Sequence, residues 1–316
     1  MATLTIRVRG QDTVVAAVHG AGYSILRTGR VPGIAQIFDD DLLCEADFPT
    51  LPAALELMRQ QAFKADLFTY ARPFGTTPCS DAYPVLRDNL AVVETRSFDQ
   101  WWSALPQESR KNMRLAEKRG VTVRTSAFDE NLVRGIKGIY DETPLRQGRP
   151  FWHFRQPLER VNMLNASYAE RSEFISAYLN DELIGYVKFV VVDKVANLVQ
   201  IIAKESHRDK KTVNALLRHS IERCSQLGLE TLTYGKFDYG VNQNSSLAEF
   251  KRRNGFRQLD FPRCFVPLSG MGRLALSTGL HAGWRAMLPP TLLTRLHSWR
   301  GKAMQLVYRP SGRGAR

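Results

Sequence analysis

The sequence predicts a mixed α/β (α+β) fold, in which helices flank a mainly antiparallel sheet and a smaller α/β lobe precedes it. Residues 174–203 contain three apolar segments separated by polar turns at 180–181 and 193–194, a pattern typical of three antiparallel strands. Apolar side chains then recur at helical spacing over 213–227, up to Gly228. With 44% apolar residues in a chain of 316, the protein can bury a sizeable core.

The segments after this helix complete the predicted sheet. Residues 229–235 are typical of a strand, and residues 245–254 of a helix that Gly255 ends. Residues 256–261 and 263–268 supply further strand material. The expected order from residue 174 onward is therefore β-β-β-α-β-α-β.

The N-terminal part predicts the smaller lobe. It contains short apolar runs at 3–8, 66–70 and 90–94, turns rich in Pro and Gly, and helical spacing over 51–64. The predicted organisation is an N-terminal α/β lobe (1–97), a main domain (98–268) and a basic helical tail (269–316).

Residues 98–119 predict a helix that Gly120 ends, with a strand directly after it. Arg110, Arg114 and Lys118 recur every fourth residue and therefore share one face of this helix. Such a row is either a solvated face or a stripe that faces phosphates.

The chain carries no pattern that predicts export or membrane spanning. Its N-terminus lacks the charged-then-apolar layout of a secretory signal, and no segment approaches the roughly 18 consecutive apolar residues of a span. Four cysteines are too far apart for metal-binding or CxxC spacing, and they fit a reducing compartment: Cys44, Cys79, Cys224 and Cys264. We therefore expect a cytoplasmic protein with neither a disulfide nor a structural metal.

The C-terminal tail carries most of the excess positive charge. Residues 271–316 contain eight basic side chains and no acid, and so supply +8 of the net charge of +13. A basic surface attracts the phosphates of a cofactor, of nucleic acid or of lipid headgroups. After Pro290, apolar residues follow one face of a helix, at Leu292, Leu296, Trp299, Ala303 and Leu306. This helix either docks on the body of the protein or makes a peripheral contact with the anionic inner face of the membrane.

Three segments within 98–268 resemble the GNAT acetyltransferase superfamily. The first is the strand-to-helix junction QIIAKESHRDKKTVNALL, which sits where GNAT proteins bind the pyrophosphate of coenzyme A. The second is NQNSSLAEFKRRNGF, similar to the family's late pattern of an Asn, an aromatic residue on a short helix and a Gly-Phe pair, here Asn244, Phe250, Gly255 and Phe256. The third, SFDQWWSALPQESRKNMRLAEKRGVTVR, is similar to a helix and strand of the two-lobed FemAB-like subgroup. The resemblance implies that residues 1–97 are a degenerate GNAT-like lobe.

The resemblance implies acyl-CoA, as acetyl-CoA or a longer form, as the donor. The opening turn of a helix offers N–H groups and a partial positive charge to a pyrophosphate. The loop HRDKKT lacks the glycines with which the family brings its backbone close to phosphates. It therefore suits a donor held mainly by side chains, or an aminoacyl-tRNA donor. The remaining alternative is that the segment binds no donor and is a charged loop capped by Thr212. The implied donor contacts are Ile201, Ile202, His207, Arg208, Lys210, Lys211, Thr212, Asn244 and Phe250.

The predicted acyl transfer calls for a general acid and a general base. Phe250 stands where the family often has a tyrosine general acid, so a phenol would have to come from Tyr234 or Tyr239. His153 is the first candidate for the general base because its ordinary pKa lies near neutrality, and Glu142 is the second. A packed imidazole is the alternative for His153, and a buried, hydrogen-bonded phenol is the alternative for either tyrosine.

The segment IYDETPLRQGRPFWHFRQP precedes the central strands, where GNAT-type folds shape the acceptor pocket. Its arginines and aromatic residues suit an anionic or sugar-like acceptor, through charge pairing and stacking. The expected acceptor contacts are Tyr140, Arg146, Arg149, Trp152 and Lys236.

These observations predict an N- or O-acyltransferase that moves an acyl group from acyl-CoA to an amine or hydroxyl of a small molecule or of a cell-surface saccharide or peptide precursor. Two alternatives stay open. One is a FemAB-like transferase that uses aminoacyl-tRNA and has tRNA as a partner. The other is a catalytically silent binding module. Neither a metal cofactor nor a DNA partner is expected.

Overall fold

One twelve-stranded sheet runs through the part of the chain that the computed structural model describes, residues 2–8, 11–75, 82–146, 148–238 and 246–282. The N-terminal lobe consists of β1 (Ala2–Val8), β2 (Gln11–His19), β3 (Ser24–Thr28), β4 (Ile34–Ile37), α1 (Leu51–Gln60), β5 (Leu67–Ala71) and β6 (Val85–Glu94).

The remaining described elements form the larger part of the fold. They are α2 (Phe98–Ala104), α3 (Gln107–Lys118), β7 (Thr122–Ser126), α4 (Glu130–Tyr140), β8 (Leu145–Arg146), β9 (Arg149–Pro150), α5 (Leu158–Ala166), β10 (Ser172–Leu179), β11 (Glu182–Val192), β12 (Val195–Ala203), α6 (Thr212–Gln226), β13 (Thr231–Thr233), α7 (Ser246–Arg253), β14 (Arg257–Pro267) and α8 (Gly270–Ser277).

The sheet is mainly antiparallel, as the sequence predicts. Its order is β1-β2-β3-β4-β5-β14-β6-β13-β12-β11-β10-β7, and its two parallel pairs are β4 with β5 and β12 with β13. The small β8–β9 ladder stands apart from it. Because β14 lies between β5 and β6, residues 257–267 return to the N-terminal lobe. The boundaries at 97/98 and 268/269 stay predictions, since one sheet passes through both lobes.

Local sequence signals account for the central hairpins. Asn180 and Asp181 join β10 to β11 with φ values of 49° and 67°, and Asp193 joins β11 to β12 with a φ of 52°. Asn and Asp tolerate this left-handed region better than most residues, so they favour tight hairpin turns. The predicted order β-β-β-α-β-α-β is confirmed by β10 to β14 with α6 and α7.

Two helices differ from the prediction. The helix expected over 98–119 is divided into α2 and α3, because Pro106 lacks a backbone N–H and disfavours helical geometry at the preceding residue. The helix expected over 51–64 ends at Gln60, and Ala62 takes a φ of 49°. Thr50 caps its start by accepting a hydrogen bond from the Ala53 N–H at 3.4 Å.

Helices cover both faces of the sheet in the larger part of the fold. Helices α3 and α6 pack on one face around Ile175, Val187 and Ile221, all of them buried. Helices α4 and α5 cover the other face, where Phe174 and Tyr186 are buried. Burial of such a side chain stabilises the fold by about 1.5–3 kcal/mol. A separate core beneath α1 stabilises the N-terminal lobe.

One expectation about the cysteines is wrong. Cys264 is disulfide-bonded, whereas Cys44 and Cys224 are free thiols. Wide spacing along the sequence did not predict this bond, because strand pairing brings distant segments together. None of the described helices is long and apolar enough to cross a membrane. The amphipathic helix predicted after Pro290 lies outside the described residues.

Candidate functional site

A cleft opens where the parallel strands β12 and β13 separate. Their pairing ends at the rung between Asn197 and Thr233, whose hydroxyl donates a hydrogen bond to the Asn197 side-chain oxygen at 3.0 Å. Beyond this rung β12 continues to Ala203 alongside β11, while β13 has ended. One edge of β12 is therefore not covered by β13, and it borders a cleft of about 580 Å³.

A β-bulge interrupts β12 beside this cleft. Leu198 pairs with Phe189, but the next rung joins Gln200 to Lys188, so Val199 is an extra residue in the strand. A bulge bends the strand and redirects its backbone groups. It lies directly after Leu198, on the strand that borders the cleft.

The N-terminus of α6 forms one end of the cleft. Its N-cap residue, Lys211, has a φ of 58° and makes no capping hydrogen bond with its side chain. Thr212 is only 2% exposed, and its hydroxyl has no hydrogen-bond partner in the described chain. Both residues line the cleft. An uncapped helix start and an unsatisfied buried hydroxyl together suit an anionic oxygen.

Lys211 explains how the loop turns without a glycine. A positive φ is costly for a residue with a Cβ, by roughly 1–2 kcal/mol, and glycine commonly takes such positions. Here a basic residue takes the left-handed geometry itself and brings its charge to the helix start. The missing glycines therefore do not remove the turn that a phosphate-binding loop requires.

Most of the predicted donor residues come together at the cleft. They are Ile201, Ile202, His207, Arg208, Lys211, Thr212 and Phe250. Lys210 does not line it and instead pairs with Asp209 at 3.3 Å. Asn244 lies outside the described residues. Sequence reasoning did not assign Lys204, Glu205, Ser246 and Leu247 to this wall, although all four lie within three residues of a predicted contact along the chain.

Glu142 anchors the turn that precedes α6. Its carboxylate accepts hydrogen bonds from the backbone N–H of Glu205 at 2.6 Å and of Ser206 at 2.9 Å, and from the Ser206 hydroxyl at 2.5 Å. Partial burial acts to raise the pKa of Glu142, but these hydrogen bonds and the charge of Arg146 outweigh it, so the pKa lies below its usual range. Glu142 is thus held as an anion, and its role as a base stays a prediction.

Arg146 joins three segments at the cleft wall. Its guanidinium donates to the carbonyl oxygens of Ala203 at 2.7 Å and Ile139 at 3.3 Å, and it lies 4.7 Å from the centre of the Phe151 ring. The Arg146 side chain is 14% exposed and pairs with Glu142 at 3.4 Å. These contacts fix the end of β12 against the end of α4. Acceptor binding by Arg146 stays a prediction.

His153 is packed among aromatic side chains. It is 5% exposed, and its ring centre lies 3.2 Å from that of Trp152 and 4.1 Å from that of Tyr140. It does not line the cleft. This placement agrees with the packed-imidazole alternative, and the general-base role remains untested.

The other predicted acceptor residues are dispersed. Tyr140 is 1% exposed and shares a 2.5 Å hydrogen bond with the Tyr186 hydroxyl, and burial raises its pKa. Trp152 is 36% exposed. Lys236 donates to Asp88 at 2.6 Å. The Arg149 side chain and Tyr239 lie outside the described part of the chain.

Tyr234 lines the cleft together with Ile201 and Ile202 and brings a phenol to it. The backbone of its loop is held by Lys251, which is 0% exposed and donates to the carbonyl oxygens of Tyr234 at 2.6 Å and Lys236 at 2.7 Å. Burial lowers the pKa of Lys251 to about 8. Phe250, the neighbour of this lysine on α7, contributes only an apolar ring.

Comparison with known proteins identifies the domain that contains this cleft. The model of the acetyltransferase (GNAT) family matches residues 139–256, which include every residue found in the cleft wall. Residues 139–256 therefore match the GNAT acetyltransferase family, in agreement with the resemblance that the sequence indicates.

Three solved structures share the fold over most of the chain. FemX aligns with a TM-score of 0.55 at 13% identity, over 83% of this chain and 87% of its own. The C-terminal domain (DUF2156) of an Agrobacterium fabrum protein described as a lysylphosphatidylglycerol synthetase aligns with a TM-score of 0.56 at 11% identity, over 84% and 88%. L-PGS from Bacillus licheniformis aligns with a TM-score of 0.51 at 12% identity, over 80% and 84%. At these identities the likeness shows the fold alone. No curated protein sequence matches the chain significantly.

Proposed function

We propose that the protein is an acyltransferase that moves an acyl group from acyl-CoA to an amine or hydroxyl of a small molecule or cell-envelope precursor. The observation that carries this proposal is the cleft between β12 and β13, with the uncapped start of α6 and the unsatisfied Thr212 hydroxyl at one end. The pyrophosphate would accept hydrogen bonds at this helix start, and Arg208 and Lys211 would supply fixed positive charge. The thioester arm would follow the open edge of β12.

The reaction would be a direct attack on the thioester. The acceptor nitrogen or oxygen attacks the carbonyl carbon, a C–N or C–O bond forms, and the C–S bond breaks. The proton that the acceptor loses ends on the departing sulfur. The bulge at Val199 supports polarisation of the carbonyl by the N–H that follows Leu198, and Tyr234 is the phenol available in the cleft to protonate the sulfur.

Direct titration of the donor tests this proposal. Acetyl-CoA should bind the full-length protein, and Arg208→Ala combined with Lys211→Ala should weaken that binding by roughly 10–100-fold, because charge-assisted hydrogen bonds are lost. Lys210→Ala is the matched control, since Lys210 pairs with Asp209 and does not line the cleft. Absence of acetyl-CoA binding to the wild-type protein, or equal losses in the double variant and the control, would contradict the donor site.

Aminoacyl-tRNA is a second candidate donor. It is favoured by the basic side chains of the cleft mouth, Lys204, Arg208 and Lys211, in a loop that contains no glycine. Binding of tRNA should weaken steeply as salt rises, because many counterions are released, whereas coenzyme A makes few phosphate contacts. Tight, salt-sensitive tRNA binding without any binding of acetyl-CoA would replace the first proposal with this one.

A further inference from the structure

We call residues 139–256, which match the GNAT family, the GNAT domain. A second cavity, which we call the interlobe cavity, lies between the N-terminal lobe and the sheet of this domain. Its volume is about 390 Å³. The N-terminal lobe contributes Asp40, Asp41, Leu43, Glu45, residues 72–75 and Leu90 to the described wall. The GNAT domain contributes the β11–β12 turn and the starts of β12 and β13. None of the residues assigned above to donor binding lines it.

The described wall of the interlobe cavity is acidic, although the chain has a net charge of +13. Arg72 and Lys194 are its basic members. Its carboxylates outnumber them and come from both lobes, at Asp40, Asp41, Glu45, Asp193 and Glu230. A local excess of negative charge in a basic protein favours a cationic ligand at this position.

Most of these carboxylates already have partners. Arg263 pairs with Asp40 at 3.1 Å, Arg96 pairs with Glu230 at 2.6 Å, and the Glu45 N–H donates to Asp193 at 3.2 Å. Asp41 differs from them. Within the described residues no side chain donates a hydrogen bond to its carboxylate or forms an ion pair with it.

The neighbours of Asp41 are mainly acidic, and they affect its protonation. Although Asp41 is exposed to solvent, desolvation at the wall raises the pKa of its carboxyl to about 6, and the charges of Asp40 and Asp39 add to the rise. At neutral pH Asp41 is still ionised, and its charge is opposed rather than neutralised by its neighbours.

An independent observation on the opposite wall also points to a ligand. Asn197 lines the interlobe cavity, is only 5% exposed, and has a side-chain nitrogen without a hydrogen-bond partner in the described chain. The Thr233 hydroxyl bonds to the other polar atom of this amide. If the amide were turned over, its oxygen would be the atom without a partner. In either orientation a buried polar atom is left for a ligand to satisfy.

Asn197 also connects this cavity with the donor cleft. It forms the last rung between β12 and β13, and its partner Thr233 directly precedes Tyr234 in the cleft wall. A molecule in the interlobe cavity would therefore lie beside the base of the cleft, where the acyl end of the donor is expected.

We infer that the interlobe cavity binds the acceptor, and that the acceptor carries a protonated amine held by Asp41 and a polar group bonded to Asn197. This inference rests on the proposed acyl transfer. An organic cation fits better than a metal ion, because no group of three or more His, Cys, Asp or Glu side chains in the described chain could hold a metal. The interlobe cavity provides an acceptor site outside residues 139–157, where Glu142 and Arg146 already make hydrogen bonds within the protein.

Binding of 1,5-diaminopentane to the full-length protein tests the inference, with 1,5-pentanediol as an uncharged analogue of the same length. We expect the diamine to bind and the diol not to bind, as measured by NMR titration. Asp41→Asn should weaken diamine binding at least about tenfold, because a charge-assisted hydrogen bond is lost. Asp181→Asn is the matched control, since Asp181 is exposed in a turn and does not line the interlobe cavity.

Three results would overturn the inference: no diamine binding, equal binding of diamine and diol, or equal affinities for the Asp41→Asn and Asp181→Asn variants. Because Asp41 is exposed, its variant should fold, and a thermal melt of each sample checks this. Titration of acetyl-CoA into the same wild-type sample tests the proposed function separately. If acetyl-CoA fails to bind while the diamine result stands, the donor proposal fails and the cation site remains.

Discussion

Side chains that the sequence predicts to act on substrate can instead hold the backbone of the protein in place. Glu142 and Arg146 were predicted to act on substrate, but their described hydrogen bonds hold the turn at 205–206 and the end of β12. Sequence reasoning could identify their chemistry but not their partners, which lie about sixty residues away. Asp41 and Asn197 belong to no sequence motif. They could be recognised only in the structure, where the two lobes meet at the interlobe cavity.

The unfavourable environment of Asp41 should be visible in the stability of the protein. Its pKa in the folded protein, about 6, lies above the ordinary value of 3.8. Among the described residues, Asp39, Asp40 and Tyr168 face it together with the cation of Arg263. The contribution of Asp41 to stability is therefore fully present below about pH 4 and is lost as the pH rises through about 6. We expect Asp41→Asn to melt at a higher temperature than the wild type at pH 7, with the difference disappearing near pH 4.

Thermal melts of wild type, Asp41→Asn and the control Asp181→Asn across this pH range make the measurement. A ligand-binding residue that reduces stability is a common compromise in functional sites. An Asp41→Asn variant that melts below the wild type at pH 7 would show that the carboxylate stabilises the fold, against this account.

At the scale of elements, local signals predicted most of the structure and pairing between distant segments was missed. The hairpins of β10 to β12 follow from short turns and alternating apolar residues, which act within a few positions. The placement of β14 between β5 and β6 depends on contacts across more than half the chain. For the same reason the sequence could not predict that Cys264 is disulfide-bonded.

The turn before α6 is an element whose geometry depends on Glu142. In Glu142→Gln the amide nitrogen cannot accept one of the two backbone hydrogen bonds, so the turn should loosen and the affinity for acetyl-CoA should fall several-fold. If Glu142 were instead the general base, turnover should fall by roughly 10²–10⁴-fold with little change in donor affinity.

Titration of acetyl-CoA and steady-state kinetics on the same preparation separate these two roles of Glu142. Glu130→Gln provides the control, because it makes the same change at an exposed ion pair with Arg134 on α4. A loss of turnover alone would restore Glu142 as the base.

At the scale of the whole molecule, two lobes share one sheet, and the donor cleft and the interlobe cavity differ in which lobes line them. The donor cleft belongs to the GNAT domain alone, so a family resemblance in the sequence could predict it. The interlobe cavity requires the N-terminal lobe, which contributes Asp40, Asp41 and Arg72 to its wall. We interpret the N-terminal lobe as the part that selects the acceptor, whereas the GNAT domain holds the donor.

The basic tail combines positive charge with an apolar stripe, and separate variants can test what each of them does. If the stripe from Leu292 to Leu306 docks on the body, deletion of residues 290–316 should expose apolar surface and lower the melting temperature. A full-length variant with Arg295, Arg300 and Lys302 changed to Gln should keep the wild-type melting temperature, because it preserves the stripe. We expect this pattern in calorimetry. A deletion that melts as the wild type does, together with a charge variant that no longer sediments with anionic vesicles, would instead assign the tail to a membrane surface.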